Sequence, residues 1–135
     1  MHEKFMFRCL DLAKGGIGLV EPNPYVGCVI VQNNQIVSEG FHHRFGGPHA
    51  EVEAIRALPS TIKPSDTSLY VNLEPCSHYG KTPPCADLII QKGFKHVVIA
   101  MQDPNPLVGG NGIKRLRNAG IHVEVGICEK EAREL

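Results

Sequence analysis

Leu69-Tyr70-Val71-Asn72-Leu73, then Pro83-Pro84-Cys85-Ala86-Asp87-Leu88-Ile89-Ile90-Gln91-Lys92-Gly93, then Lys95-His96-Val97-Val98-Ile99-Ala100-Met101: this stretch decides the fold. The two outer runs are short and apolar and read as strands. Pro83-Pro84 opens a helix between them, because proline suits a first helical turn, and Gly93 stops it after Lys92. A strand, a helix and a strand in that order imply parallel neighbours joined by a right-handed crossover.

Outward from this unit the punctuation stays legible. Phe5, Cys9, Leu12 and Ala13 are spaced like one face of a helix, which Gly15-Gly16 ends. Gly18 to Pro24 reads as a loop. Val26 to Val31 and Ile36 to Phe41 flank Asn33-Asn34, a hairpin signal, since Asn tolerates the left-handed backbone of tight turns. Pro48 precedes a helix pattern from His49 to Leu58, closed by Pro59. Beyond Met101, Asp103 to Gly112 is a loop, Ile113 to Ala119 a short helix, Ile121 to Val125 a last strand, and a polar helical tail starts at Glu129. The order predicts an α/β fold: a three-layer α/β/α sandwich with a mixed five-stranded sheet that begins in an antiparallel hairpin.

The chain has 135 residues, with 42% hydrophobic and 21% charged, which suits one globular domain over 1–135 and argues against disorder. Lys and Arg number 14 and Asp and Glu number 14, so no basic footprint for nucleic acid is evident. The apolar runs are far shorter than the roughly 20 residues of a membrane span, and the start carries no secretory pattern. Five irregularly spaced cysteines favour metal-binding or free thiols over a disulfide framework. A cytoplasmic enzyme without nucleic-acid or membrane partners is expected. Cys9, on an apolar helix stripe, and Cys28, inside an apolar strand, read as structural, as does Cys128.

The chemistry lies in His49-Ala50-Glu51, Pro75-Cys76 and Pro84-Cys85. Zinc favours imidazole and thiolate, and a catalytic zinc site takes three protein ligands with a fourth position left to water. His49, Cys76 and Cys85 meet that count. Residues two apart share no helix face, so His49 and Glu51 converge only at a helix start, where Pro48 puts them. Cys85 also falls at a helix start, which favours thiolate over thiol. Glu51 is a carboxylate beside the metal that is not needed as a ligand, as a proton shuttle requires. His-x-Glu followed by Pro-Cys and a second Cys is the zinc deaminase pattern, except that eight residues, Ser77 to Pro84, stand where that pattern has two.

That long loop makes the likeness specific. Leu73-Glu74-Pro75-Cys76-Ser77-His78-Tyr79-Gly80-Lys81-Thr82-Pro83-Pro84-Cys85 resembles the cysteine loop of the riboflavin-biosynthesis deaminases, the diaminohydroxyphosphoribosylaminopyrimidine deaminase domains of the cytidine deaminase superfamily. Pro22-Asn23-Pro24-Tyr25-Val26-Gly27-Cys28-Val29, Gly47-Pro48-His49-Ala50-Glu51 and Asp103-Pro104-Asn105-Pro106 agree with it, and the likeness runs from the first helix to about Ala132. It implies a cytidine deaminase-like fold and Zn2+ on His49, Cys76 and Cys85. It also implies hydrolysis of 2,5-diamino-6-ribosylamino-4(3H)-pyrimidinone 5′-phosphate to 5-amino-6-(5-phosphoribosylamino)uracil and ammonia. Glu51 would move the protons and Asn23 would meet the pyrimidine.

His78 and Lys81, in the cysteine loop, are candidates for the ribose phosphate. His42 or the adjacent His43 is a candidate substrate contact. Asp103 and Asn105 follow the C-terminal end of a strand, where open α/β sheets place ligands, although Asp-Pro-Asn-Pro also makes an ordinary turn. Gly109-Gly110-Asn111-Gly112 has Arg115 where a dinucleotide fingerprint needs its third glycine, so no nicotinamide site is expected. A reductase domain is therefore not expected within these residues, though the family often carries one, and a reductase domain or separate reductase is an expected partner. A homo-oligomer, a dimer, is expected as well. Two alternatives keep the same zinc ligands. One is a deaminase of another nucleoside, nucleotide or RNA base; the other is a structural zinc module with His78 as its fourth ligand.

Overall fold

Along each central strand the side chains alternate between two apolar cores. Cys28, Ile30, Leu69, Val71, Val97 and Ile99 face one core, while Val29, Val31, Tyr70, Val98 and Ala100 face the other. A sheet buried on both faces needs a helical layer on each side, and the helices divide accordingly. The first core is closed by Ala50, Ala54, Ala86, Ile89, Ile113 and Leu116 from three helices; the second is closed by Phe5, Met6, Cys9, Leu10 and Ala132 from two. The three-layer sandwich expected from the sequence is what the computed structural model has; it describes residues 1–79 and 82–135.

The elements run α1 (His2–Ala13), β1 (Gly27–Gln32), β2 (Gln35–Phe41), α2 (Ala50–Ala57), β3 (Ser68–Leu73), α3 (Cys85–Lys92), β4 (His96–Met101), α4 (Asn111–Asn118), β5 (His122–Val125) and α5 (Glu129–Glu134). Single 3-10 turns follow α1, at Lys14–Gly16, and precede β3, at Pro64–Asp66. The sheet order is β2-β1-β3-β4-β5. β1 pairs antiparallel with both β2 and β3, whereas β3, β4 and β5 are parallel. Asn33 and Asn34 both take positive φ, 51° and 63°, the turn whose twist matches that of a hairpin. Gly27 lies directly under the Cys9 carbonyl, where a Cβ would collide, so glycine lets α1 settle on β1.

Three helix starts differ from expectation: α4 begins at Asn111 and not at Ile113, and the other two differences matter for the site. The third helix begins at Cys85 and not at Pro83, because a residue before proline is pushed out of the helical region, and Pro84 itself is the extended N-cap with ψ 150°. His49 is likewise the extended N-cap of α2, with ψ 163°, and not its first helical residue; its carbonyl accepts from Glu53 N–H at 3.1 Å. Both helix N-termini thus lie at the end of the sheet where β3 runs out into Cys76.

Candidate metal centre and active site

His49 as an N-cap projects from the start of α2, Cys85 opens α3, and Cys76 lies three residues past β3. These three elements meet. His49 Nδ1 is 3.3 Å from Cys85 Sγ and 3.8 Å from Cys76 Sγ, and Cys85 N–H donates to Cys76 Sγ at 3.2 Å. Ligands at roughly 2.0–2.3 Å from a tetrahedral zinc ion lie about 3.3–3.8 Å apart, which is the spacing seen. His78 does not join the cluster, so a four-ligand structural site does not form among the described residues.

The electrostatics explain why this donor set fits a divalent cation. The Cys76 thiol is drawn down to about 4, chiefly by a hydrogen bond from the Cys85 thiol, with His49 and Cys85 N–H helping against burial. Cys85 is pushed strongly up by that same bond and by burial. One of the pair ionises readily and the other resists, since two adjacent negative charges, one half-buried and one buried, repel. A doubly charged ion between them removes that repulsion, and it takes imidazole as the third ligand without adding charge. Cys9 and Cys28 differ: burial raises both thiols, and both sit in the cores as packing residues.

Glu51 is in the first turn of α2 and only 4% exposed. Burial pushes its carboxyl up to about 7, against the nearby His49, which draws it down, and its carboxyl is within hydrogen-bond reach of the Cys85 thiol. A buried carboxyl with that balance exchanges protons near neutral pH.

The remaining candidates sort by their partners. His42 is buried; its Nδ1 donates to the Pro48 carbonyl at 2.9 Å, which leaves Nε2 to accept from Asn23 Nδ2 at 3.1 Å. Its ring stands edge-on to the His49 ring at 5.6 Å. Asn23 is therefore tied through His42 to the residue before His49. His43 turns away, its Nδ1 donating to the Phe41 carbonyl at 3.2 Å. His78 and Asp103 line a small cavity of about 20 Å³ with Cys76. Asp103 and Asn105 use their side chains in the turn itself, accepting from Asn105 N–H and Leu107 N–H at 2.9 and 3.0 Å. Lys81 lies outside the described residues.

Two supports escaped the reading of the sequence. Glu74, 6% exposed, accepts three backbone N–H bonds, from Asp103 and Gly110 at 2.9 Å and Ile113 at 3.0 Å, and so fastens the 103–112 loop and the start of α4 beside Pro75-Cys76. A Cβ on Gly112 would collide with the Pro75 carbonyl, so glycine permits that approach. Asn72 accepts from Gly27 N–H at 2.8 Å and donates to the Tyr25 carbonyl at 3.0 Å, pinning the loop that carries Asn23. The available signal was a polar residue and an acid at the end of an apolar strand, where an unpartnered polar group would be costly.

The chain is similar to known proteins. Residues 1–101 match the family model described as the cytidine and deoxycytidylate deaminase zinc-binding region. The chain is 52% identical over 135 residues to the riboflavin biosynthesis protein RibD of Aquifex aeolicus (strain VF5), spanning all of this chain and 37% of that protein. It is 48% identical to the diaminohydroxyphosphoribosylamino-pyrimidine deaminase of Buchnera aphidicola subsp. Schizaphis graminum (strain Sg), covering 99% of this chain and 90% of that protein. The structure of Acinetobacter baumannii RibD superposes with a TM-score of 0.93 at 49% identity, over 99% of this chain and 37% of that one.

Proposed function

The chain belongs to the cytidine and deoxycytidylate deaminase family, and from that premise we propose that it hydrolyses 2,5-diamino-6-ribosylamino-4(3H)-pyrimidinone 5′-phosphate to 5-amino-6-(5-phosphoribosylamino)uracil and ammonia. The observation that carries the reading is the convergence of His49, Cys76 and Cys85 beside the buried carboxyl of Glu51. The metal these residues hold is zinc, and when bound it supplies a Lewis acid that makes water a nucleophile at neutral pH.

The protein's own groups do the rest. Glu51 takes the proton of the attacking water and delivers it to the ring nitrogen beside the amino-bearing carbon. The C–O bond forms at that carbon; Glu51 then takes the remaining proton from the new hydroxyl and passes it to the amine, so that the carbonyl forms as the C–N bond breaks and ammonia leaves. Asn23 holds the pyrimidine edge, supported by the His42 bond that fixes its amide. His42, buried and bonded at both ring nitrogens, acts on the substrate through Asn23 as a positioning residue. His78 and Asp103 bound the substrate's entry beside Cys76, supported by the cavity they line, and Asn105 shapes the turn next to it. Lys81 takes the ribose phosphate as a point charge. The reaction belongs to the cytoplasm, where thiolate ligands stay reduced. No helix of the described residues is long and apolar enough to cross a membrane. A similar structure, from Thermotoga maritima, is that of a diaminohydroxyphosphoribosylaminopyrimidine deaminase/5-amino-6-(5-phosphoribosylamino)uracil reductase, which supports a reductase as the next partner for the product.

Zinc-loaded protein mixed with the diaminopyrimidinone nucleotide is expected to release ammonia, and to do so faster than with dCMP or cytidine. Equal or faster release from dCMP would overturn the substrate assignment while leaving the family intact.

A further inference from the structure

The opposite end of the sheet gathers a second set of donor atoms that the deamination does not use. His96 opens β4 and His122 opens β5, and the two pair in register. Glu124 lies two residues beyond His122 and so projects from the same face. His2, in the first turn of α1, comes down onto that face. The Nε2 atoms of His2 and His96 are 3.1 and 2.6 Å from Glu124 Oε2, and His122 Nε2 is 3.8 Å from the same oxygen.

The imidazoles are also held from behind. His2 Nδ1 is bonded to the Tyr70 hydroxyl at 2.6 Å and His96 Nδ1 to the Ser68 hydroxyl at 2.7 Å. Both hydroxyls come from β3, and Tyr70 is buried. Such outer partners orient a ligating histidine and fix which nitrogen faces the ion. One carboxylate oxygen faced by three imidazole nitrogens, two of them in hydrogen bonds, is crowded, but it is a natural set of ligands once a cation stands at the centre.

We propose that His2, His96 and Glu124, with His122 as a fourth donor, form a second metal site for a divalent ion of the zinc class. Nitrogen and carboxylate donors without thiolate suit zinc, cobalt and nickel. With an ion on Nε2, the Nδ1–H groups of His2 and His96 would donate to the Tyr70 and Ser68 oxygens. The ion ties the start of α1 to β4 and β5, so it acts as a clamp on the fold, far from the thiolate centre. The site does not depend on the deaminase reading.

The test is calorimetric titration of Zn2+ into protein already holding one equivalent at the thiolate centre. One further equivalent is expected, and it is lost in both His96→Ala and Glu124→Gln. Added Zn2+ should raise the thermal midpoint of the wild type but not of either variant, and the unliganded midpoints show whether each variant folds. Titrating the same zinc-loaded protein with Co2+ should give visible bands without a thiolate charge-transfer band. The proposal fails if no second equivalent binds, or if one persists in both variants. It also fails if the second equivalent of Co2+ brings a thiolate band, or if binding is lost with His2→Ala yet kept with His96→Ala, since the start of the chain alone would then be the chelator.

Discussion

The two ends of the sheet make an instructive pair. At the C-terminal end of β3, the His49, Cys76 and Cys85 donors come from two helix starts and a loop, with buried Glu51 beside them. At the N-terminal ends of β4 and β5, His2, His96 and Glu124 gather on the sheet surface, each a quarter to a third exposed. Both ends bring three ligands together, yet only the first combines thiolates, helix N-termini and a buried carboxyl that is not a ligand. Soft, charged donors in a half-buried setting fit a catalytic ion with an attendant base. Imidazoles backed by hydroxyls in a wetter setting fit an ion that only holds elements together. The difference lies in what surrounds the donors more than in how many there are.

The largest effect should come from breaking the first end. Cys85→Ser removes one thiolate, so zinc content should fall to near zero. Activity should drop by more than the roughly 10–100-fold that losing an outer partner of a metal ligand costs. Cys9→Ser, whose thiol bonds only the Tyr70 carbonyl inside the second core, should keep both zinc and rate. Metal analysis and ammonia release on the two variants check this; equal damage at Cys9 would mean the thiolate end is misassigned.

Glu51→Gln separates the base from the ligands. Turnover should fall by about 10²–10⁴-fold, the usual loss of a general acid–base, with zinc retained. Loss of zinc along with rate would make Glu51 a ligand and would erase the feature that distinguishes the two ends.

Much of this contrast was legible before any coordinates. Gly and Pro punctuation, the Asn pair and apolar runs mark the helices, the hairpin and the parallel unit, because these signals are local. The His49, Cys76 and Cys85 set was legible because Pro precedes each ligand and each follows the right element. The position of β1 between β2 and β3 was not, since strand order is a long-range choice. Nor was the second end: His2 and Glu124 are 122 residues apart, and a lone histidine opening a strand carries no signal. Glu74 was quoted as part of a motif, but its three backbone partners lie about 30 to 40 residues downstream.

Glu74 therefore sharpens the comparison on the side of support. Glu74→Ala leaves three backbone N–H groups without their buried acceptor and should cost about 3 kcal/mol of stability. Urea unfolding reads this directly. Zinc should stay bound, since no ligand is removed, and Glu74→Gln should recover part of the loss because one carbonyl oxygen can still accept. Unfolding of Glu74→Ala indistinguishable from wild type would show that the 103–112 loop holds itself.

The smallest effect belongs to the second end without metal. Glu124 is held below the ordinary carboxylate range, first by its hydrogen bond with His96, against the opposing effect of burial, with electrostatic attraction to His2, His96 and His122 adding to the lowering. A carboxyl whose folded pKa is lowered adds stability above its unfolded value, about 4.3, and loses it as pH falls through the folded value. The group is a third exposed, so solvent screening limits the contribution to under about 1 kcal/mol. The stability gap between wild type and Glu124→Gln, measured in urea without added divalent ions, should be present at pH 6 and 7 and close as pH drops below about 4. A gap that instead widens in acid would mean the Glu124 carboxylate is not what the three histidines stabilise, and the second end would lose its electrostatic centre.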